Sequence, residues 1–377
     1  MKSNRFSLLT GLLVVCLVSL GPALASDDLK PGKPDLKSIG AMTFAPDGTL
    51  FLADSEGAAV FAVDVQDTAS PSGDELGRGD IVTDIETKIG ALLGTSSDQI
   101  RINELVVHPK SKRMYMSVTR GRGDSAVPVL VRADAKGDLE EVELDNIPFA
   151  KASIDNAPAE DATDRRGRRL RTNTISDVRF NDGVLYVAGL SNEEFASSLR
   201  RIPYPFGGKA ASSTLEIYHV AHGQYETHAP IRTFMPFSLG GEPHILASYT
   251  CTPLVAFPVK DLADGEHVKG STLAELGAGN TPLDMLTYKK GEKTYLLLAN
   301  SNRNMMRIDV EDMLGAPSLT EPLPEMDIGL TRGVPYKSLP GTGILHIDNY
   351  DDETFVMLTR DSETGELNLV PRPKRWM

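Results

Sequence analysis

The chain has few cysteines, a single tryptophan and no apolar run long enough to span a membrane. Of its 377 residues, two are cysteine, Cys16 and Cys251, and 6% are aromatic. The longest apolar run, Leu8 to Leu20, covers 13 residues, whereas a transmembrane helix needs roughly 20. These scarcities argue against a disulfide-stapled scaffold and against a membrane-spanning protein.

The first 25 residues have the pattern of a secretory signal peptide. Lys2 and Arg5 precede the apolar run, and Ala23-Leu24-Ala25 provides the small residues that a signal peptidase requires. A lipoprotein signal needs a small residue before its cysteine, but Val15 precedes Cys16. We therefore expect cleavage after Ala25 and export to the periplasm or the extracellular space without a lipid anchor.

The mature chain is acidic and has one cysteine. Loss of Lys2 and Arg5 changes the formal net charge from -13 to about -15, so nucleic acid is not an expected partner. The one basic run, residues 165–171, follows an acidic stretch and has the composition of a solvated loop. Without a disulfide, residues 26–377 must be stabilised by one large apolar core, and their number is sufficient for one.

A pair of apolar strands joined by a tight turn recurs six times along the chain. A third strand follows each pair, and often a fourth, which predicts an all-β fold: a single β-propeller with six four-stranded blades. Seven blades are the alternative. Asp47-Gly48 and Asp182-Gly183 are expected hairpin turns with positive φ at the glycine. The six pairs are Ile39–Asp54, Ile102–Val118, Ile175–Leu190, Ile231–Tyr249, Leu283–Asn300 and Val334–Asn349.

Two features lie outside this repeat. Residues 145–173 are polar and show no strand pattern, so they are predicted to be an inserted loop, or else a degenerate seventh blade. The ring is expected to close by pairing of the chain ends, with Leu36–Ile39 or a preceding strand beside the last blade.

Two of the repeats resemble known propeller families. Met42-Thr43-Phe44-Ala45-Pro46-Asp47-Gly48-Thr49-Leu50-Phe51-Leu52-Ala53-Asp54 is similar to the core of NHL-type and gluconolactonase-like repeats. The segments 297–301 and 306–310 are similar to the YVTN type. The gluconolactonase-like resemblance implies a divalent ion, such as calcium, held in the central channel by Asn103, Glu104, Asp177 and Asp284.

The aligned inner strands independently predict a polar ring around the axis. Carboxylates collected from separate blades repel one another unless a cation neutralises them, and calcium prefers oxygen ligands. Arg232 aligns with the ring and could instead pair with Glu104 or Asp177. A hydrated channel without an ion is the simpler alternative. The predicted ring is Asn103, Glu104, Asp177, Arg232 and Asp284.

A second candidate cluster offers nitrogen and sulfur ligands. His222 and His228 lie in the connection between the third and fourth repeats, and Cys251 follows the next strand pair. Imidazole and thiolate suit zinc or copper. Scattered exposed histidines are the alternative, and His219 is expected to point away from its neighbours.

These features leave two classes of function. The first is a monomeric binding module that engages a protein or a small-molecule ligand through its loop-rich face and channel mouth. The second is a metal-dependent hydrolase of the lactonase kind, in which an ion polarises a carbonyl group. The sequence has no G-x-S-x-G nucleophile elbow and no phosphate-binding loop. We therefore expect the binding module rather than an enzyme, and we leave the catalytic residues unassigned.

Overall fold

The computed structural model describes residues 29–70, 76–77, 79–323 and 330–377. The predicted signal peptide and its cleavage site lie outside the described residues. No helix among the described residues is long and apolar enough to cross a membrane.

The described chain forms a six-bladed β-propeller, as predicted. Blades are numbered 1 to 6 in chain order, and each begins with an inner strand at the axis. The inner strands are Met42–Phe44, Ile100–Val107, Asp177–Asn181, Thr233–Leu239, Pro282–Lys290 and Ile344–Asn349. The second strands are Thr49–Asp54, Met114–Arg120, Val184–Leu190, Glu242–Ser248, Lys293–Asn300 and Thr354–Arg360. The third strands are Ala59–Asp64, Val127–Ala133, Ser197–Pro203, Pro253–Pro258, Met305–Asp309 and Leu367–Pro373.

Additional strands complete the outer parts of blades 1 to 5. Blade 1 gains Ile147–Ser153 and Lys30–Gly32, and blade 2 gains Leu139–Glu141. Blades 3, 4 and 5 gain Ala211–His219, Gln224–Glu226, His267–Lys269, Ser271–Glu275, Arg332–Gly333 and Lys337–Leu339. The described residues include one α-helix, Ile85–Leu92, and six short 3-10 turns: Ser97–Gln99, Gly123–Ser125, Arg171–Asn173, Val259–Asp261, Val310–Met313 and Lys374–Trp376.

Glycines make the two predicted hairpin turns. Gly48 has φ +102° and Gly183 has φ +75°, values that residues with a β-carbon rarely adopt. Each glycine lies between the inner and second strands of its blade, so the predicted turns are confirmed.

The blades do not follow one another around the ring in chain order. Blade 1 lies between blade 2 and blade 3, and blade 2 lies beside blade 6. After blade 2 the chain returns to blade 1, where Ile147–Ser153 pairs with Ala59–Asp64. It then enters blade 3 on the opposite side of blade 1. Residues 145–173 are therefore not a loop throughout, because their first part is a strand of blade 1 that lies between Ala59–Asp64 and Lys30–Gly32.

The ring closes through a segment that was not expected to pair with the last blade. The N–H of Leu369, in the outermost strand of blade 6, donates to the carbonyl of Val82 at 2.8 Å. The N–H groups of Ile81 and Val82 both donate to the carbonyl of Leu369. Leu36–Ile39 does not fill this role, and the earlier strand Lys30–Gly32 pairs within blade 1. The closing segment leads directly into the helix Ile85–Leu92.

The predicted sixth repeat was placed one strand too early. Val334 follows Arg332–Gly333, which pairs with the outer strand of blade 4, and Lys337–Leu339 pairs with blade 5. The inner strand of blade 6 is Ile344–Asn349. The apolar residues from 334 to 339 thus cover the edges of two preceding blades.

Six separate apolar clusters hold the ring together, one at each interface between neighbouring blades. Between blades 1 and 3, for example, Phe51 and Ala53 pack against Val178, Leu185 and Val187. The helix adds Ile85 and Ile89 to the cluster between blades 2 and 6. The side faces of the blades are covered by apolar residues, whereas polar side chains lie at the axis.

Candidate functional site

Two chambers lie on the propeller axis. The starts of the inner strands line an upper chamber of about 550 Å³, which contains Glu104, Asp177 and His346. The ends of the same strands line a lower chamber of about 500 Å³, which contains Arg179 and Asp348. Asp284 contributes to both.

Glu104 and His346 form an ion pair in the wall of the upper chamber. The Nδ1 atom of His346 lies 3.0 Å from Oε1 of Glu104 and 3.9 Å from Oδ2 of Asp284. Glu104 is 7% exposed. The contact is an ion pair rather than an aligned hydrogen bond, since Nδ1 makes no hydrogen bond of good geometry. An imidazole beside a carboxylate can accept and release a proton near neutral pH.

The two partners stabilise each other's charged forms. Burial by itself would raise the pKa of Glu104, but the charges of His346 and Arg179 hold that pKa below its usual range. Burial by itself would lower the pKa of His346, but the Glu104 carboxylate raises it above its usual value. The pair therefore favours a carboxylate beside an imidazolium.

Three aspartates at the axis have a different role, because each connects two neighbouring blades. In every case Oδ2 accepts a hydrogen bond from a backbone N–H of the next inner strand, and Oδ1 accepts one from the following residue of its own strand. The inter-blade bonds are Phe234 N–H to Asp177 at 2.9 Å, Ile347 N–H to Asp284 at 3.0 Å and Val107 N–H to Asp348 at 2.7 Å. The bonds within the strands come from Val178, Met285 and Asn349.

Glu104 makes no such bond between blades. Its Oε1 accepts a hydrogen bond from the N–H of Leu105, the next residue, at 3.0 Å. Its nearest charged partner is His346, in blade 6. Glu104 is thus the axial acid that lies beside a histidine and does not bond to the backbone of a neighbouring blade.

Arg179 partly neutralises the aspartates. Its Nη2 lies 3.0 Å from Oδ1 of Asp284 and 3.6 Å from Oδ2 of Asp177, and its Nε donates to the carbonyl of Phe234 at 3.0 Å. The pKa of Arg179 is raised, because these carboxylates outweigh its burial. One arginine and one histidine nevertheless face four carboxylates, so the cluster carries excess negative charge when all four are ionised.

Burial and mutual repulsion raise the pKa values of the aspartates. The pKa of Asp177 is raised to about 7, chiefly by burial and further by Glu104 and Asp284. Burial raises the pKa of Asp348 to about 7 and that of Asp284 to about 6. Some of these carboxyl groups therefore hold a proton near neutral pH.

Asn103 and Arg232, which sequence reasoning also placed in the ring, line the upper chamber without joining the acidic cluster. Asn103 donates to the carbonyl of Ile39 and to Thr119, both at 2.9 Å, and accepts from Arg101. Arg232 donates to Asn173 at 3.4 Å. Among the described residues Arg232 makes no ion pair, so the expected pairing with Glu104 or Asp177 is wrong.

Three residues of the axial cluster were missed: Arg179, His346 and Asp348. Arg179 follows Asp177 by two positions on one strand, so alternation of side chains would have placed both on the axial face. His346 and Asp348 alternate in the same way. They were overlooked because the sixth inner strand was predicted to begin at Val334.

Part of the predicted ligand set is close enough to hold a cation. The ligand atoms of Glu104, Asp284 and His346 lie within 4.8 Å of one another. Asp177 is not in this group. A histidine in the donor set is atypical of calcium, which favours oxygen ligands. The divalent ion at the axis stays a prediction.

The second predicted cluster, of His222, His228 and Cys251, forms with His219 in place of His228. Ligand atoms of His219, His222 and Cys251 lie within 4.8 Å of one another, and the two histidine rings have centroids 3.9 Å apart. His219 therefore faces its neighbours, contrary to expectation. His228 lies outside the group, and its Nδ1 contacts the hydroxyl of Thr227 at 2.9 Å.

Comparisons with known proteins show similarity in fold. No protein-family model matches the chain, and no curated protein sequence matches it significantly. A Bacillus subtilis arabinanase is similar over 72% of this chain and 92% of its own, with 13% identity and TM-score 0.33. The GH43 endo-arabinanase from Bacillus licheniformis has the same coverage, 12% identity and TM-score 0.33. A bifunctional GH43 protein from Bacteroides eggerthii is similar over 81% of this chain and 34% of its own, with 12% identity and TM-score 0.36.

These comparisons do not support the expectation of a binding module without enzymatic activity. The similar solved structures are arabinanases and a GH43 protein, and arabinanases are enzymes. The resemblance to NHL-type and gluconolactonase-like families is supported only at the level of the propeller. At these identities and TM-scores the neighbours' substrate cannot be transferred, so the chemistry must be argued from the residues of this chain.

Proposed function

We propose that the protein is a hydrolase whose acid–base chemistry takes place in the upper chamber, at Glu104 and His346. The supporting observation is the 3.0 Å contact between these two side chains in the chamber wall. Asp177, Asp284 and Asp348 use both carboxylate oxygens to accept backbone N–H groups. Glu104 instead forms an ion pair with a histidine, and histidine is the group that most often transfers protons in enzymes.

In the proposed mechanism each proton has a route. With Nδ1 of His346 facing Glu104, Nε2 is left to accept a proton from a water molecule in the chamber. The water oxygen forms a bond to the electrophilic carbon of the substrate. The bond from that carbon to the leaving-group oxygen then breaks, and His346 returns the proton to that oxygen. Glu104 stabilises the imidazolium that exists between the two transfers.

The mouth of the upper chamber favours a substrate with a negatively charged group. Lys37 and Arg169 line it but are paired with Glu160 and Glu56. The half-buried Arg232 has no carboxylate partner among the described residues. A guanidinium in this position can bind a carboxylate through two hydrogen bonds. We therefore expect a small, polar, anionic substrate with an ester, lactone or glycosidic bond.

A paired substrate panel tests the proposal. Chromogenic esters, lactones and glycosides would each be offered in a neutral and a carboxylate-bearing form. We expect the wild-type chain to hydrolyse at least one carboxylate-bearing member, and His346→Gln to be roughly 10²–10⁴-fold slower. His244→Gln, the same change at a histidine outside both chambers, should keep full activity. An inactive wild type, or equal activity of the two variants, would contradict the proposal.

Arg232→Leu separates substrate binding from chemistry. Loss of a charge-assisted contact should raise KM for the carboxylate-bearing substrate roughly tenfold or more and leave the neutral form unaffected. Arg101→Leu is the matched control, because Arg101 lines the same chamber but is exposed and bonded to Asn103. Equal effects of both variants on both substrates would contradict the assignment of Arg232.

A further inference from the structure

A second cluster of ligating side chains lies where the edges of blades 3 and 4 meet. His219 is the last residue of the strand Ala211–His219, and His222 lies in the turn that follows it. Cys251 lies in the turn between the second and third strands of blade 4. The strand directions place both turns on the face of the propeller that holds the upper chamber. Two neighbouring blades thus contribute three ligand atoms within 4.8 Å of one another.

One carboxylate orients both histidines. Oε2 of Glu226 lies 2.9 Å from Nδ1 of His219, and Oε1 lies 2.5 Å from Nδ1 of His222. A carboxylate accepts hydrogen bonds, so it favours the tautomer with the proton on Nδ1 and leaves the lone pair on Nε2. A carboxylate that fixes a histidine in this way is the usual outer partner of a metal-binding imidazole.

The buried end of His219 has no hydrogen-bond partner among the described residues. His219 is 2% exposed, and its Nε2 is buried and unpaired. The nearest acid, Oε2 of the buried Glu275, lies 3.9 Å away, too far for a hydrogen bond. Oε1 of Glu275 is also buried and unpaired. Unpaired buried polar atoms are rare in proteins, and an unseen ion is one of their recognised explanations.

The turn that carries Cys251 has an unusual backbone conformation. Cys251 has φ +67° and Thr252 has φ +56°, a region that β-branched residues seldom occupy. The N–H of Cys251 donates to the carbonyl of Asn280 at 2.7 Å, and the Thr252 hydroxyl donates to Gly277 at 2.9 Å. These bonds hold the turn in place and fix the position of the cysteine beside the two histidines.

We propose that His219, His222 and Cys251 bind a zinc ion, with Glu275 as the neighbouring fourth ligand, although its carboxylate lies more than 4.8 Å from at least one of the three ligand atoms. Thiolate and imidazole are typical zinc ligands, whereas calcium and magnesium prefer oxygen. Zinc bonds of about 2.0–2.3 Å place tetrahedral ligand atoms roughly 3.3–3.8 Å apart, close to the 3.9 Å between His219 and Glu275. The site is separate from the proposed hydrolase centre.

Zinc titration against a chromophoric chelator tests the site in the full mature chain. We expect one tightly bound zinc per wild-type chain. His222→Ala and Cys251→Ser should weaken binding at least about 100-fold, and Glu226→Gln by roughly 10–100-fold. His228→Ala is the matched control and should bind zinc like the wild type. Cobalt should give a thiolate-to-metal absorption band in the wild type and in His228→Ala but not in Cys251→Ser.

Two results would overturn the proposal. One is a wild-type chain without a tight zinc equivalent. The other is zinc binding by Cys251→Ser and His222→Ala as tight as that of His228→Ala. If His222→Ala does not fold, as judged by circular dichroism, Cys251→Ser and the cobalt spectrum decide. Glu104→Gln should keep its zinc, so failure of this site and failure of the hydrolase centre can be told apart.

Discussion

The carboxylate of Asp348 in blade 6 accepts a hydrogen bond from the N–H of Val107 in blade 2 at 2.7 Å, although 241 positions separate them in the chain. Asp177 and Asp284 make the equivalent bond to their own neighbouring blades. The axial acids therefore fall into two groups. Three aspartates join blades, and Glu104 pairs with His346.

This division predicts unequal effects on stability for substitutions at Asp177 and Glu104. Asp177→Ala leaves two buried N–H groups unpaired and should lower the free energy of unfolding by roughly 1–3 kcal/mol. Glu104→Ala leaves one buried N–H, that of Leu105, unpaired and removes a charge that repels Asp177 and Asp284, so we expect a smaller loss than at Asp177. Urea unfolding of both variants measures the difference. Equal losses would contradict the division.

The same geometry revises what amide substitutions should do. The sequence alone predicts that replacing Glu104, Asp177 and Asp284 by their amides preserves or stabilises the fold. In the structure both oxygens of Asp177 accept N–H groups, so Asp177→Asn would place an NH₂ group against a donor. We expect this variant to be less stable than Glu104→Gln, as measured by thermal unfolding.

The Glu104 charge should control the protonation of His346. Since the carboxylate raises the pKa of His346, Glu104→Gln should lower that pKa toward or below its usual value. NMR titration of the seven histidines, with His346→Gln to assign the resonance, measures this. An unchanged pKa in Glu104→Gln would show that the pair is not coupled.

The raised pKa values of the buried aspartates predict that stability falls as the pH rises. The unfolded chain releases the Asp177 proton near pH 4, whereas the folded chain holds it until about pH 7. The folded state binds more protons in that range, so the stability gained at low pH is lost as the pH rises through about 7. His346 acts in the same direction, and His108, whose pKa is lowered by burial, acts in the opposite one.

Urea unfolding at pH 5.5 and pH 8 measures the net effect. We expect the free energy of unfolding to be roughly 1–3 kcal/mol lower at pH 8, and the pH dependence to be weaker in Asp177→Asn. Stability that increases toward pH 8 would contradict this account and would instead support the predicted divalent ion at the axis, because a cation favours ionised carboxylates.

The closing contact of the ring predicts a sensitive backbone position. Val82→Pro removes the N–H that donates to Leu369 at 3.2 Å and should cost roughly 1–3 kcal/mol. It also exposes the edge of blade 6, which favours aggregation. Asp80→Pro is the control, because no described residue accepts its N–H. Thermal unfolding and light scattering should show a defect in Val82→Pro alone.

Local sequence patterns predicted most of the blades but not their order in the ring. Strand alternation and the turns at Gly48 and Gly183 depend on neighbouring residues, so they can be read from the chain. The position of blade 2 beside blade 6, and the return of Ile147–Ser153 to blade 1, depend on packing between distant segments. The polar composition of residues 145–173 gave no sign of that strand.

The candidate site was also predicted only in part. Glu104, Asp177 and Asp284 were found because their strands aligned with recognisable repeats. His346 was missed because the sixth inner strand was aligned incorrectly. Arg179 was missed because only one axial residue of its strand, Asp177, was considered, although the residue two positions later also faces the axis. Whether an acid joins blades or pairs with a histidine depends on ångström-scale geometry, which sequence does not contain.

The pH dependence of hydrolysis by wild type and Glu104→Gln tests the central claim most directly. If neutral His346 accepts the proton, kcat/KM of the wild type rises with pH through the raised pKa of His346. In Glu104→Gln that limb should move to lower pH, and the plateau rate should fall because the imidazolium loses its partner. His244→Gln should reproduce the wild-type profile. An acidic limb at the same pH in wild type and Glu104→Gln, with the same plateau, would contradict the account.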